Sequence, residues 1–340
     1  MLSQPKFWKT RNIISSILVP LSFIFRILTF IKKIQKPKEL DIPIICVGNL
    51  TIGGEGKTPT VLSLTKILKK NGRKIAVILR GYGGKLNGPI KVNLNHSTHE
   101  VGDEAKLHSK HNDTWISKDR YNAAKIILDQ KRYDYIFLDD GLQNNSLKYD
   151  FKICVIDSSE GLGNKRVFPS GPLREDLKFG INKIDYAVII GPKNINLEKL
   201  ILGLSPKLKF IYGNFLELQT KNVLPKSRNI IAFAGIGFPD KFFRFLEKIN
   251  IKVIKKIIFA DHYIYSNSDI NKLLKLANDK NAVLLTTSKD YIKLIELTSY
   301  QKIKNILFEM QVELILNNHF EIISLIKTIG NQKNEIKKNY

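Results

Sequence analysis

Between an apolar run and a helical pattern lies the glycine-rich segment Thr51-Ile52-Gly53-Gly54-Glu55-Gly56-Lys57-Thr58-Pro59. The apolar run, 42–47, predicts a buried strand, and Pro59 suits the first turn of a helix, where a missing N–H costs nothing. A strand, a glycine-rich turn ending in Gly-Lys-Thr and a helix together favour binding of a nucleoside triphosphate. Lys57 would place a charge at the β- and γ-phosphates, and the Thr58 hydroxyl can ligate Mg²⁺.

The match to the strict phosphate-loop motif is incomplete. Thr51 stands where the first glycine is expected, so the segment resembles the Gly-Gly-x-Gly-Lys-Thr variant. The alternative is a glycine-rich turn with an exposed lysine, which the flanking strand and helix patterns disfavour. The predicted phosphate-binding residues are Thr51, Gly53, Gly54, Gly56, Lys57 and Thr58. Glu55 is the awkward member, because a carboxylate beside a triphosphate is unfavourable unless it points away.

The composition is strongly basic, with a formal net charge of +24 over 340 residues. Lysine supplies most of this charge along the whole chain, which is consistent with genome composition bias or with an anionic membrane or substrate. No helix-turn-helix, zinc-finger or aromatic ribonucleoprotein pattern supports nucleic acid as a partner, and no obligate protein partner is evident. Cys46 and Cys154 lie in apolar runs and are predicted to be buried hydrophobes, neither a disulfide nor a metal pair.

The N-terminal region is apolar and flanked by basic residues. The run 13–25 lacks charge, and Arg26 and Pro20 make a membrane-spanning helix doubtful. No small-residue cleavage site follows, so a signal peptide is also disfavoured. The preferred interpretation is a helix in the membrane interface with lysines at the headgroups, and the alternative is a helix that caps the core.

Apolar runs alternate with helical patterns, which predicts a doubly wound α/β fold with ligands at the carboxyl ends of its strands. The predicted strands of the first unit are 42–47, 74–79, 133–138, 151–156 and 185–190, with a helix at 120–131. A second, smaller α/β unit is predicted from strands at 229–234, 251–258 and 282–287 and helices at 239–249 and 269–277, followed by a terminal helix at 313–329. The predicted division is an N-terminal segment 1–40, a P-loop domain 41–220, a smaller domain 221–330 and a polar tail 331–340.

Acidic residues stand at points where a phosphoryl-transfer site needs them. Asp139 and Asp140 end a predicted strand, a position from which P-loop enzymes orient Mg²⁺. Asp103 opens a helical pattern and is either a capping acid or a carboxylate that accepts a proton from an attacking hydroxyl. His262 follows a strand of the second unit, where a role at a cleft is plausible although a lone histidine is more often structural.

Two further groups are ambiguous. Arg174 and Glu175 follow Gly171-Pro172-Leu173, where the arginine could clamp phosphate and the glutamate could reach a metal, or the pair could lie in a surface turn. Four histidines, His96, His99, His108 and His111, have irregular spacing for one metal site and are mostly expected in solvated loops.

Read together, these segments resemble the tetraacyldisaccharide 4′-kinase family of lipid A biosynthesis. The resemblance rests on the ordered motifs Val-Gly-Asn-Leu-Thr-Ile-Gly-Gly-Glu-Gly-Lys-Thr-Pro, Arg-Gly-Tyr-Gly-Gly, Val-Gly-Asp-Glu-Ala, Asp-Asp-Gly-Leu-Gln, Gly-Pro-Leu-Arg-Glu, Ala-Gly-Ile-Gly, Asp-His and Thr-Thr-Ser-Lys-Asp, which end near residue 294. It implies ATP- and Mg²⁺-dependent phosphorylation of the 4′-hydroxyl of a lipid-linked glucosamine disaccharide 1-phosphate. It also implies a peripheral or monotopic protein at an anionic membrane surface, on the cytoplasmic face of the bacterial inner membrane.

The resemblance assigns roles to residues of this sequence. It implies that Lys57 and Thr58 hold phosphates and Mg²⁺, and that Asp103 acts as the base, assisted by His262. The residues implied to serve metal and phosphates are Asp139, Asp140, Glu175, Arg120 and Arg174. The positions that depart from the family pattern are Glu55, Leu79, Asn144 and Phe238.

One alternative remains open from the loop alone, a membrane-associated P-loop ATPase of the partitioning type. Those proteins carry a signature lysine where this chain has Ile52, which counts against them.

Overall fold

The structure is a computed structural model that describes residues 5–31, 36–218, 224–225 and 228–338. Its first eight strands, in chain order, are β1 (Ile44–Gly48), β2 (Ile75–Leu79), β3 (Ile90–Lys91), β4 (Asp113–Ile116), β5 (Tyr135–Asp139), β6 (Phe151–Asp157), β7 (Tyr186–Ile190) and β8 (Lys209–Glu217). The remaining strands are β9 (Asn229–Ala234), β10 (Lys255–Ile258), β11 (Ala282–Thr287), β12 (Leu307–Met310) and β13 (Val312–Leu316). The predicted α/β class is confirmed.

The helices lie between and around these strands. The first six are α1 (Ile13–Ile17), α2 (Val19–Ile31), α3 (Lys57–Lys70), α4 (Thr98–Val101), α5 (Asp103–Ser109) and α6 (Arg120–Asp129). The others are α7 (Leu177–Asn182), α8 (Ile195–Leu204), α9 (Pro239–Lys248), α10 (Asn267–Asp279), α11 (Ser288–Leu294) and α12 (Phe320–Lys338). Two short 3₁₀ helices cover Lys6–Trp8 and Thr298–Lys302.

Within the described residues, nine strands form a large sheet in the order β13-β8-β7-β6-β1-β5-β2-β4-β3. Its inner strands are parallel, and the two outermost pairs, β13 with β8 and β3 with β4, are antiparallel. Strand β1 lies at the centre, between β6 and β5, and is buried along its whole length. Ile44 and Cys46 pack into the core on one face of this sheet, and Ile45 and Val47 into the core on the other. Burial on both faces explains why these strands appear as continuous apolar runs.

A second sheet has the order β10-β9-β11-β12 and is entirely parallel. Its two faces pack against separate apolar clusters, one containing Phe233 and Leu284 and the other Phe242 and Leu285. The predicted strands at 229–234 and 282–287 are confirmed, whereas the strand predicted at 251–258 is limited to Lys255–Ile258.

The predicted terminal helix at 313–329 is wrong in its first part. Residues Val312–Leu316 form β13, which pairs with β8 at the edge of the large sheet, and the helix begins only at Phe320. The alternation of exposed Ile315 with buried Leu314 and Leu316 is the period of a strand. The predicted polar tail is helical through Lys338, and residues 339–340 lie outside the described part. We propose that 312–338 belongs with the large domain, because Ile322 and Ile326 pack into its core.

The N-terminal helices rest on a loop of the large domain. Trp8 is buried and its indole N–H donates to the Pro169 carbonyl oxygen at 2.9 Å, while the Ser22 hydroxyl donates to the Val167 carbonyl oxygen at 2.7 Å. Most apolar side chains of α1 and α2 whose burial the structure describes are exposed to solvent. Within the described residues, no helix combines the length and the apolar character needed to cross a bilayer.

The docking of α12 provides a test of the C-terminal arrangement. A Cβ at Gly330 would collide with the ring and hydroxyl of buried Tyr135. We expect Gly330→Ala to lower the free energy of unfolding by about 1–3 kcal/mol through overpacking. The matched control is Gly203→Ala in α8, where a Cβ meets no atom within 4 Å and a small gain in stability is expected. Equal effects of the two substitutions in urea denaturation would contradict the docking of α12.

Candidate active site

The glycine-rich segment forms a loop between β1 and α3. Gly56 is the residue before α3 and has φ of 97°, a left-handed conformation that glycine tolerates, and a Cβ there would collide with Ile190. The Lys57 ammonium donates to Asn49 Oδ1 at 3.3 Å and lies 3.7 Å from Asp140 Oδ2. Gly54 contributes its carbonyl oxygen to the Lys241 ammonium at 3.5 Å. The loop therefore leads directly into the N-terminus of α3, a position that suits phosphate.

The two acids predicted at the end of a strand lie next to this loop. Asp139 ends β5 and is buried, and its Oδ2 accepts the Thr58 hydroxyl at 2.8 Å. Asp140 follows in a left-handed conformation with φ of 64°, an uncommon backbone state for a residue with a side chain. Burial would raise the pKa of Asp140, but the charges of Lys57 and Arg174 outweigh it and hold this pKa at about 2.

Arg174 joins the acids to the loop. Its Nε donates to the Thr51 carbonyl oxygen at 3.0 Å, and Nη1 donates to Asp140 Oδ1 at 2.8 Å. Arg120 Nη2 donates to the Asp140 carbonyl oxygen at 2.6 Å. Two guanidinium groups and one ammonium thus surround the place where phosphates would lie.

Glu175 faces a different set of partners. It is buried, forms an ion pair with Lys183 and accepts from Gln143 Nε2 at 2.9 Å. Gln143 Nε2 also donates to the Asn49 carbonyl oxygen at 3.0 Å. The structure does not bring Glu175 into the lining of the cavity described below, so its predicted role as a metal ligand gains no support from this geometry.

Asp103 and His262 meet across the two domains. Asp103 is the first residue of α5, and both of its carboxylate oxygens lie 3.1 Å from His262 Nδ1. His262 follows the end of β10 with φ of 55°, and the Tyr82 ring packs edge-on against the imidazole at 5.0 Å between centroids. Lys293 of α11 lies 3.8 Å from Asp103 on a second side.

Neighbouring groups shift the pKa values of both Asp103 and His262. Burial would raise the pKa of Asp103, but the hydrogen bond with His262 and the charges of Lys289 and Lys293 hold that pKa well below its usual range. Burial would lower the pKa of His262, but Asp103 and Asp261 raise it overall. Asp103 is therefore an ionised acceptor at neutral pH, and His262 retains its proton to higher pH than a free histidine.

A cavity of about 1310 Å³ connects the glycine-rich loop with His262, the hydrogen-bond partner of Asp103. The phosphate loop forms one wall, and His262 together with Phe238 and Lys241 of the small domain forms another. Lys241 also forms an ion pair with Asp157 at 2.8 Å, which links α9 to the end of β6. The cavity is large enough for a nucleotide and part of a second substrate.

The site suits a divalent cation that is bound together with phosphates. Among the described residues no cluster of three or more His, Cys, Asp or Glu side chains could hold a metal alone. Mg²⁺ usually takes one or two protein oxygens, with waters and phosphates completing its ligands. Within the described part of the chain, Asp139 Oδ1 is buried without a hydrogen-bond partner. An acceptor left in this state beside the Thr58 hydroxyl fits a cation at this point.

The position of the Glu55 side chain explains how an acid can stand in a loop suited to a triphosphate. Its side chain is buried and accepts a hydrogen bond from the Thr51 hydroxyl. Burial raises the pKa of Glu55 to about 8, against the opposing charges of Lys241 and Lys57. The carboxyl is therefore mostly neutral at pH 7 and does not repel a triphosphate.

The four histidines do not form a metal site. His99 is exposed, and His96 accepts the Asn93 backbone N–H at 3.1 Å in a surface turn. The expectation of a solvated loop fails for His108, which is fully buried against Asp139. Both cysteines are free and buried, as predicted.

Several residues of the site were missed from the sequence, namely Asn49, His108, Gln143, Asp157, Lys241, Lys289 and Lys293. Asp157 had a usable signal, because it ends a buried strand beside β1. The three lysines had none, since lysine is abundant throughout this chain.

A sequence model of the family Tetraacyldisaccharide-1-P 4'-kinase matches residues 14–328. The chain belongs to the tetraacyldisaccharide 4′-kinase family. The kinase of this name from Bartonella henselae is 35% identical over 326 residues, which are 95% of each protein. That from Gluconobacter oxydans is 38% identical over 293 residues, covering 85% of this chain and 88% of the relative.

A solved structure agrees with the family match. The crystal structure of LpxK from Aquifex aeolicus in complex with ATP has a TM-score of 0.71 and 28% sequence identity, covering 93% of this chain and 99% of that one. Because the chain belongs to this kinase family, the alternative of a partitioning ATPase is excluded.

The buried Glu55 gives a pH-dependent stability that can be measured. Its ordinary pKa is 4.5 and its folded pKa is about 8, so the wild-type protein loses stability as pH rises through this window. Glu55→Gln removes the titrating group, and we expect its advantage in free energy of unfolding to grow from pH 5 to pH 8 by on the order of 2–4 kcal/mol. The exposed Glu217→Gln serves as the control in urea denaturation at pH 5, 6.5 and 8. An advantage of Glu55→Gln that does not change with pH would refute the buried neutral carboxyl.

Proposed function

We propose that the protein transfers the γ-phosphoryl group of ATP to the 4′-hydroxyl of a tetraacylated glucosamine disaccharide 1-phosphate in lipid A biosynthesis. The observation that carries this proposal is one cavity lined by the Lys57–Thr58 loop and by His262, the hydrogen-bond partner of Asp103. Family membership supports the substrate class. In this arrangement a bound phosphoryl donor and a hydroxyl acceptor can lie next to each other, so that the hydroxyl and not water attacks the phosphorus.

The reaction is an in-line displacement at phosphorus. The 4′-oxygen forms a bond to the γ-phosphorus, the bond to the β–γ bridging oxygen breaks, and ADP leaves with that electron pair. The hydroxyl proton passes to Asp103, whose carboxylate is ionised and lies against His262. Because the low pKa of Asp103 makes it a weak base, it suits a loose transition state in which the proton leaves late.

The cationic residues of the loop neutralise the donor. Lys57 and Arg174 both contact Asp140. Phosphate oxygens offer these cations a more highly charged partner, so we propose that they exchange Asp140 for the β- and γ-phosphates. The backbone N–H groups of residues 53–58 would complete the phosphate cradle.

Thr58, Asp139 and Asp140 are the residues proposed to hold Mg²⁺. The ion would supply charge neutralisation and alignment of the β- and γ-phosphate oxygens. We propose that Glu175 positions Gln143 through their hydrogen bond, because the charge of Glu175 is already paired with that of Lys183.

We also propose that α1 and α2 rest in an anionic membrane surface. Their outward side chains include Ile13, Ile17 and Phe23, which are 80%, 71% and 60% exposed. A contiguous apolar surface of this kind is unfavourable in water and typical of interfacial helices. The cytoplasmic face of the bacterial inner membrane is the proposed location, because ATP is present there and the acceptor is a lipid.

The experiment that tests the proposed function is a transfer assay with ATP, Mg²⁺ and the disaccharide 1-phosphate in mixed micelles. ADP formation should require the acceptor, and Lys57→Ala should abolish most of it. ADP formation at the same rate without acceptor would contradict a kinase and point to an ATPase.

The Asp103–His262 pair predicts strongly non-additive kinetics. We expect Asp103→Ala to lower kcat on the order of 10²–10⁴-fold, because the proton acceptor is lost. Adding His262→Ala to that variant should lower kcat little further, since residues that act as one unit lose their function together. Steady-state kinetics of the single and double variants provide the measurement, and fully multiplicative losses would show that the two residues act separately.

The proposed membrane face predicts a change in vesicle binding. Replacing Ile17 and Phe23 together by glutamate should weaken binding to vesicles containing phosphatidylglycerol by about tenfold or more, from the apolar area removed. Ile195→Glu, at an exposed isoleucine of α8, is the control and should bind as the wild type does. Unchanged sedimentation of the Ile17 and Phe23 variant with the vesicles would exclude α1 and α2 as the membrane contact.

A further inference from the structure

His108 is a buried histidine that the motifs of the family resemblance do not include. Its side chain is fully buried in the large domain, and Nε2 lies 2.9 Å from Asp139 Oδ2. The contact is a hydrogen bond to a carboxylate oxygen when the imidazole carries its proton on Nε2. The contact therefore fixes both the tautomer of His108 and one oxygen of Asp139.

The same oxygen of Asp139 has a second donor. The Thr58 hydroxyl donates to Oδ2 at 2.8 Å, so the phosphate loop and His108 meet on one atom. Among the described residues, Asp139 Oδ1 has no hydrogen-bond partner. The two hydrogen bonds to Oδ2 orient the carboxylate so that Oδ1 accepts no hydrogen bond. An oxygen in this state can ligate a cation.

Helix α5 connects this oxygen to the acceptor end of the site. Asp103 begins the helix and His108 lies five residues later, so the proposed base and the support of Asp139 share one rigid element. The helix is also tied to the small domain, by Asp103 to His262 and by an ion pair between Glu104 and Lys289. A shift of α5 would therefore move the proposed base, Asp103, together with His108 and so change the hydrogen bond that His108 makes to Asp139.

We propose that His108 is a positioning residue that orients Asp139 for Mg²⁺–nucleotide binding and couples this orientation to the helix that carries Asp103. The proposal rests on the proposed kinase function for its kinetic consequence, but the binding consequence does not require transfer to occur. The alternative is a histidine that only fills the core.

The test compares His108→Leu, His108→Gln and His108→Asn with the wild type. Leucine fills the space without a donor, glutamine can present an N–H near the position of Nε2, and asparagine keeps polarity but is too short to reach Asp139. ADP affinity is measured by calorimetry with and without Mg²⁺, and Mn²⁺ binding to the ADP complex by electron paramagnetic resonance. The exposed His99→Gln is the control.

The expected result separates positioning from packing. Without Mg²⁺, ADP affinity should stay within about twofold in all variants, while the gain in affinity caused by Mg²⁺ and the affinity for Mn²⁺ should fall about 10–100-fold in the leucine and asparagine variants. Glutamine should restore most of this loss. In the transfer assay, the Mg²⁺ concentration for half-maximal rate should rise in parallel, with little change in KM for the lipid acceptor.

Two results would overturn the proposal. One is a folded leucine or asparagine variant with a lowered melting temperature and wild-type dependence on Mg²⁺ and Mn²⁺, which would make His108 a core residue. The other is failure of glutamine to restore metal binding in a folded protein. If the leucine variant does not fold, the asparagine and glutamine pair decides the question. Absence of transfer in the wild type would overturn the proposed function while leaving the metal-binding comparison valid.

Discussion

The parallel pairing of β1 with β5 is the constraint on which the rest of the site depends. Its register sets Val47 opposite Asp139, so the loop after β1 and the acids after β5 emerge side by side at one edge of the sheet. Thr58, at the start of α3, can then donate to Asp139 at 2.8 Å. A slip of the register would turn the alternating side chains of β1 to the wrong faces and separate these groups. The buried centre of the sheet thus determines the geometry of the candidate phosphate site.

The part of the chain that forms the second sheet adds residues to the candidate site. Its contributions are His262, which contacts Asp103, and Lys241, which contacts both Asp157 and the Gly54 carbonyl oxygen. Of these contacts, those of His262 with Asp103 and of Lys241 with Asp157 involve carboxylates that are largely shielded from solvent. The proposed proton acceptor, Asp103, would therefore be carried by α5 and oriented by His262, which follows a strand of the second sheet.

Much of this arrangement follows from the sequence, because buried parallel strands and glycine-rich turns have strong local signatures. The central strands, the loop at Lys57 and the acids at Asp139 could be placed from apolar runs and from the residues that end them. The strand at Val312–Leu316 could not, because five residues before a long helix show too little of either period, and pairing with distant β8 decides their structure.

The burial and protonation of polar side chains could also not be predicted from local sequence patterns. The sequence marks Glu55 as an acid near phosphate, but only the three-dimensional packing shows that its carboxyl is buried and neutral. His108 has the same sequence character as the exposed His99 nearby, and only the three-dimensional contact of His108 with Asp139 separates them.

The most direct test of the central claim is the position of the new phosphate in the product. Phosphorus–proton correlation spectroscopy of the purified lipid, after reaction with ATP and Mg²⁺, reports which sugar proton is coupled to the transferred phosphorus. We expect coupling to the proton at the 4′ carbon, with one ADP formed per product. Coupling to another sugar position, or recovery of the phosphorus as inorganic phosphate, would contradict it.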